Sequence, residues 1–171
     1  MKRLQLATLL DWAGEPGLQG RKRLQKVVYL LQRAGCPFDC QYVLHHYGPY
    51  SRDVADVCDE MVAADLVEEQ RDLTSVGAQY TYRLPACTQG LLSSARGEDA
   101  LAQFKTLAEE LIAKDIWQLE LGATVALFYE REEDWDAALQ KACEFKSVGA
   151  GDLASEEALE LAKKVVSRAL S

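Results

Sequence analysis

Gly20 to Ser51 reads GRKRLQKVVYLLQRAGCPFDCQYVLHHYGPYS, and the fold follows from how this stretch is parsed. Leu24, Val27, Val28 and Leu31 recur at the i, i+3, i+4, i+7 spacing of a buried helical stripe. Lys22, Lys26, Tyr29 and Arg33 fall on the opposite side, predicting a basic amphipathic helix with one solvated face. Gly20 stands at its start. Gly35 and Pro37 stop it, because glycine accepts a left-handed C-terminal position and proline cannot continue a helix. The segment 41–47, QYVLHHY, is rich in aromatic and β-branched residues and predicts a short strand. Gly48-Pro49 then predicts a turn that launches a third helix, with Ser51 as its N-terminal cap.

Working outward, Leu6, Leu9, Leu10 and Ala13 predict a first helix over Lys2 to Ala13, ended by the loop Gly14-Glu15-Pro16-Gly17. The third helix runs from Ser51 to Ala64 with Val54, Val57, Cys58 and Met61 inward. Residues 66–70 and 79–84 alternate around a turn near Ser75-Val76-Gly77, which predicts a hairpin. Three helices and a hairpin are the order of a winged helix-turn-helix domain, here with an extra strand between the second and third helices.

After Pro85 the pattern is helical throughout. Thr88 is expected to cap a short helix reaching Arg96 and closed by Gly97, and another helix is expected from about Glu98 to Ala113. Residues 117–129 are apolar nearly all round and predict the central helix of this part. Trp135, Ala138, Leu139, Ala142 and Phe145 mark the next. Ser155, followed by Glu156 and Glu157, is expected to cap the last, which ends near Ala169. The fold class expected is mainly α with a small β-hairpin: a winged-helix-like part over 1–84 and a helical bundle over 85–171 packed on it.

The motifs GRKRLQKVVYLLQ and HHYGPYS, the 51–84 helix-then-wing segment, LELGATVALFY, the helix containing Trp135, and Phe145-Lys146 resemble the YwgA-like proteins of bacteria and archaea. More distantly, the chain is similar to the Panacea domain of SocA-type antitoxins. The resemblance implies a helical, winged-helix-related fold. For the Panacea relatives it implies neutralisation of a toxin by protein contact. It supplies no catalytic residues.

Composition narrows the classes further. No apolar run approaches the roughly 18 residues of a membrane span, and the N-terminus reads as a helix, not a signal peptide. Five cysteines in 171 residues read as reduced thiols of a cytoplasmic protein. The net charge is −8. Residues 1–84 hold 10 basic and 11 acidic side chains, and residues 85–171 hold 9 and 16. Such a chain is repelled by nucleic acid unless it concentrates positive charge on one face.

The candidate sites are few. In a winged helix the third helix reads the major groove. Here its outer face carries Arg52, Asp53, Asp56, Asp59 and Glu60, net −3, which argues against groove insertion. Cys36 and Cys40, a Cys-x3-Cys pair, lack the second complete pair and the fourth ligand of a zinc site, and adjacent His45 and His46 on a strand would point to opposite faces. No nucleophile elbow or phosphate loop is present, and the acid-rich 130–136 stretch suits the start of a helix. The expectation is therefore no enzyme, no cofactor and no metal. An unknown protein partner would be bound through Lys22, Lys26, Tyr29, Arg33 and Tyr50. The alternative is a winged-helix DNA-binding transcriptional regulator whose basic second helix touches phosphates.

Overall fold

A computed structural model describes residues 1–75, 77–95 and 101–169. Helix α1 (Arg3–Ala13) is followed by a two-residue strand β1 (Leu18–Gln19) and helix α2 (Arg21–Arg33). Strands β2 (Val43–His45) and β3 (Gly48–Tyr50) precede helix α3 (Arg52–Ala63), and β4 (Glu68–Thr74) and β5 (Gly77–Arg83) form the long hairpin. Then come α4 (Ala86–Ala95), a 3-10 turn (Ala102–Phe104), α5 (Lys105–Ala113), α6 (Ile116–Glu132), α7 (Trp135–Lys146) and α8 (Leu153–Arg168). The protein is largely helical with a few antiparallel strands, as the periodicity predicts. No helix among the described residues is long and apolar enough to cross a membrane.

The two sheets differ from expectation in instructive ways. Strand β1, unforeseen in the loop after α1, pairs with β5, giving the order β1-β5-β4. Gly48-Pro49 is not a turn but part of strand β3, which pairs antiparallel with β2, His45 opposite Gly48. The turn falls two residues earlier, at His46-Tyr47. Proline is tolerated because this two-stranded ribbon is all edge. Gly48 has φ +90°, a conformation glycine takes without penalty. The hairpin turn also brings His45 and His46 together, their rings in edge contact at 4.9 Å, where a continuous strand would have separated them.

Helix α2 is buried through its middle. Leu24 through Leu31 are all buried, eight residues in a row, and each large apolar one contributes roughly 1.5–3 kcal/mol. It touches α3, α5, α6, α8, β1 and β3. The expected solvated stripe therefore does not exist as such. Lys26 and Tyr29 are 2% and 1% exposed, while Lys22 is exposed and Arg33 half-buried. The side read as outward is covered by α6.

Helix α6 is the second axis. Every residue from Leu119 to Leu127 is buried, and α7 and α8 pack along it. At Gly122 the α8 backbone comes so close that an added Cβ would lie 3.2 Å from the Ala158 carbonyl. The N-terminal caps are partly those expected. Asp134 caps α7, as an acid of the 130–136 stretch should, and Asp115, outside that stretch, caps α6. For α8 the cap is Asp152, whose carboxylate accepts from the Ser155 N–H at 2.8 Å. Ser155 is instead buried inside the first turn. Ser51 also fails as a cap: its hydroxyl makes no hydrogen bond among the described residues. Thr88 is not a cap but the third residue of α4. The expected features at Val76, Arg96, Gly97 and Glu98 lie outside the described residues. Four cysteines are buried outside any disulfide (Cys36, Cys40, Cys58 and Cys143), and Cys87 is exposed on α4.

Candidate functional site

Lys22 and Lys26 are one helical turn apart on α2, so their side chains leave the same side. Two elements meet them there. The β2–β3 hairpin crosses over the helix, and the Lys26 Nζ donates to the Pro49 carbonyl at 2.7 Å. One residue back, Gln25 clamps the hairpin exit, donating to the Ser51 carbonyl (2.9 Å) and accepting from the Ser51 N–H (2.8 Å). From the other side α6 presents Glu120. Its carboxylate lies 3.4 Å from the Lys22 Nζ and 3.0 Å from the Lys146 Nζ of α7. The Glu120 and Lys146 side chains are only 8% and 5% exposed. Three ammonium groups thus gather round one buried carboxylate.

The hairpin can reach this place only because residue 48 is glycine. A Cβ there would stand 2.4 Å from the Thr124 Oγ1 of α6, and that hydroxyl is itself held by donation to the Glu120 carbonyl at 2.6 Å. The turn carries Tyr47, half of it in solvent, with its ring 3.3 Å from the Lys22 Nζ and 5.9 Å from that of Lys146. Such cation–π contacts hold the ring over the charges.

Between α2, this hairpin and α3 lies a cavity of about 270 Å³. Lys22, Lys26, His45 and Tyr47 line it, with Leu24, Tyr50, Ala55 and Cys58 forming a largely carbon wall. Arg21 and Tyr82 line it as well. Arg21 is already engaged: it donates to Glu69 (2.9 Å) and to the Tyr82 hydroxyl (2.9 Å), which in turn donates to Glu69 (2.7 Å). The hydrogen bond to Glu69 holds the guanidinium even more firmly charged than usual. Burial works against the Glu69 carboxylate, but the bonds from Tyr82 and Arg21 still hold its pKa below the ordinary value. Burial pushes the Cys58 thiol up to about 12, so it is inert as a nucleophile near neutrality.

Burial also dominates at Lys26. It brings the amine down to about 8, with Glu120 opposing and Lys146 and Lys22 reinforcing the shift. An ammonium has three donors, and one hydrogen bond, to Pro49, accounts for one of them among the described residues.

The five residues expected to form a partner-binding stripe are thereby divided. Lys22 and Lys26 line the cavity, and so does Tyr50. Tyr50 is half-buried against His45 at 5.5 Å, while Tyr47, in the turn itself, is the exposed one. Tyr29 and Arg33 belong to a separate cluster, where the Tyr29 hydroxyl donates to Glu130 at 2.5 Å and the Arg33 Nε lies 3.2 Å from the same carboxylate. Glu120, Lys146 and Thr124 were not anticipated. Glu120 is the only charge within the apolar stretch 117–129, and a lone carboxylate in such a helix signals a buried cationic partner.

Comparison with known proteins agrees with the resemblance carried by the motifs. The chain is similar to YwgA. This Bacillus subtilis protein, itself described as uncharacterised, is 28% identical over 115 residues, covering 67% of this chain and 68% of its own. No family model matches. The YwgA similarity indicates no enzyme family.

Proposed function

We propose that this chain is a non-enzymatic recognition module that acts by binding a protein partner, with antitoxin-like neutralisation as the concrete form suggested by the Panacea resemblance. The observation that carries the reading is an exposed aromatic pair beside the cationic cluster. Tyr47 and Phe145 are 49% and 37% exposed, and their ring centroids lie 5.9 and 5.8 Å from the same Lys146 ammonium. Aromatic rings beside a desolvated cation are what interface anchors are made of. Four buried cysteines outside any disulfide support a reducing, cytoplasmic setting.

A second reading, a DNA-binding winged-helix regulator, draws support from topology: α1, β1, α2, α3 and a hairpin, with sheet order β1-β5-β4. Charge speaks against it. On the outer face of α3, Arg52 is tied to Asp56 at 3.5 Å, while Arg3 pairs with Glu60 at 3.0 Å, so little free positive charge faces a phosphate.

The test is a pull-down of the tagged full chain from its native host, assayed for protein and nucleic acid at low and high salt. A stoichiometric protein retained in high salt, and lost with Tyr47→Ala plus Phe145→Ala, is expected. DNA that co-elutes and leaves as salt rises would overturn the reading in favour of the regulator.

A further inference from the structure

We infer that the cavity between α2, the β2–β3 hairpin and α3 is a binding site for a small organic acid, its carboxylate held by Lys22 and Lys26 and its apolar body lying against Leu24 and Tyr50. The inference stands apart from the partner-binding reading and does not need it.

Three observations point this way. The first is the sign of the charge. Around Lys26 stand Lys22 of the same helix, Lys146 of α7 and Glu120 of α6, with His45 on the hairpin and Asp59 of α3 at the cavity wall. Ammonium groups outnumber carboxylates in the cluster, in a protein whose net charge is −8. A low-dielectric recess of one sign concentrates ions of the other. The second is the state of Lys26, 2% exposed with a single hydrogen bond accounted for among the described residues. A buried ammonium with donors to spare is costly unless an anion completes it. The third is the wall. Leu24, Tyr50, Ala55 and Cys58 offer carbon, which an inorganic ion would leave unused. The one guanidinium nearby, Arg21, is already committed to Glu69 and Tyr82, so the bidentate fork that favours phosphate is taken. A space of about 270 Å³ suits a single aromatic ring or a short aliphatic chain and is small for a nucleotide.

The test is titration of the full-length protein with benzoate, phenylacetate and hexanoate, read by amide chemical shifts and by the thermal midpoint. At least one carboxylate should shift amides of residues 22–26 and 47–50 and raise the midpoint, while benzamide, its neutral counterpart, should not. Lys26→Met should weaken binding by about tenfold or more, the loss of a charge-assisted hydrogen bond. The surface variant Lys164→Met should bind as the wild type does. Should Lys26→Met not fold, the exposed Lys22→Met serves, and in the wild type affinity should decline as pH rises through about 8, where Lys26 loses its proton. Benzamide binding as well as benzoate, retention of affinity in both lysine variants, binding of inorganic phosphate alone, or no carboxylate moving those amides would each overturn the inference.

Discussion

Lys26 is an ammonium held where ammonium groups rarely sit, and its energetics have a definite sign. Burial brings its pKa from 10.5 to about 8. A basic group depressed on folding weakens the fold while it is charged in both states, and that penalty lifts as pH climbs from the folded value toward the unfolded one. Relative to Lys26→Met, the wild type should therefore gain stability between about pH 8 and 10, by on the order of 2 kcal/mol. Urea midpoints of both proteins at several pH values measure it. The comparison must stay below 10.0, because burial raises the Tyr29, Tyr42 and Tyr82 hydroxyls and their contribution falls as pH rises further. Lys22, Lys146 and Glu120 surround the amine in both proteins, so the difference isolates Lys26. The sequence placed Lys26 correctly on the side of α2 opposite Leu24 and Val28. It could not say that this side faces another helix, since a stripe of charge reads the same whether water or Glu120 answers it.

At the scale of elements, the hairpin and α6 are joined by close approach of backbone to side chain. Gly48→Ala would place a methyl group against the Thr124 hydroxyl at a residue with φ +90°. The expected cost is roughly 2–4 kcal/mol from clash and left-handed strain together. Adding Thr124→Ala should return part of that cost and leave the strain, which chemical denaturation of the single and double variants will separate. Long periodic elements were legible: α2, α3, α6 and α7 lie close to where spacing puts them. The β2–β3 ribbon was not, because Gly-Pro ordinarily marks a turn, and only the α6 wall explains why here it is strand. Strand β1 escaped for a related reason. Two residues, Leu18 and Gln19, carry no alternation to detect, and their pairing with β5 is wholly non-local.

For the molecule as a whole, the contacts of α2 set what can fold alone. It is contacted by both halves of the chain, by α3, β1 and β3 from the first and by α5, α6 and α8 from the second. Residues 1–84 by themselves would leave Lys26 without Glu120 and Tyr29 without Glu130, and would bare the apolar side chains that α6 covers. That fragment should show no cooperative thermal transition by circular dichroism, whereas the full chain should show one. Cooperative melting of 1–84 would mean the boundary near Pro85 separates two independent folding units. The distribution of cysteines has one more use. Cys36 follows α2, Cys58 lies in α3 and Cys143 in α7, all shielded, while Cys87 meets solvent. With Cys87 blocked by a first, brief alkylation, each remaining sulfur becomes a stopwatch for its own layer. The order in which they are captured under native conditions would reveal which layer breathes first.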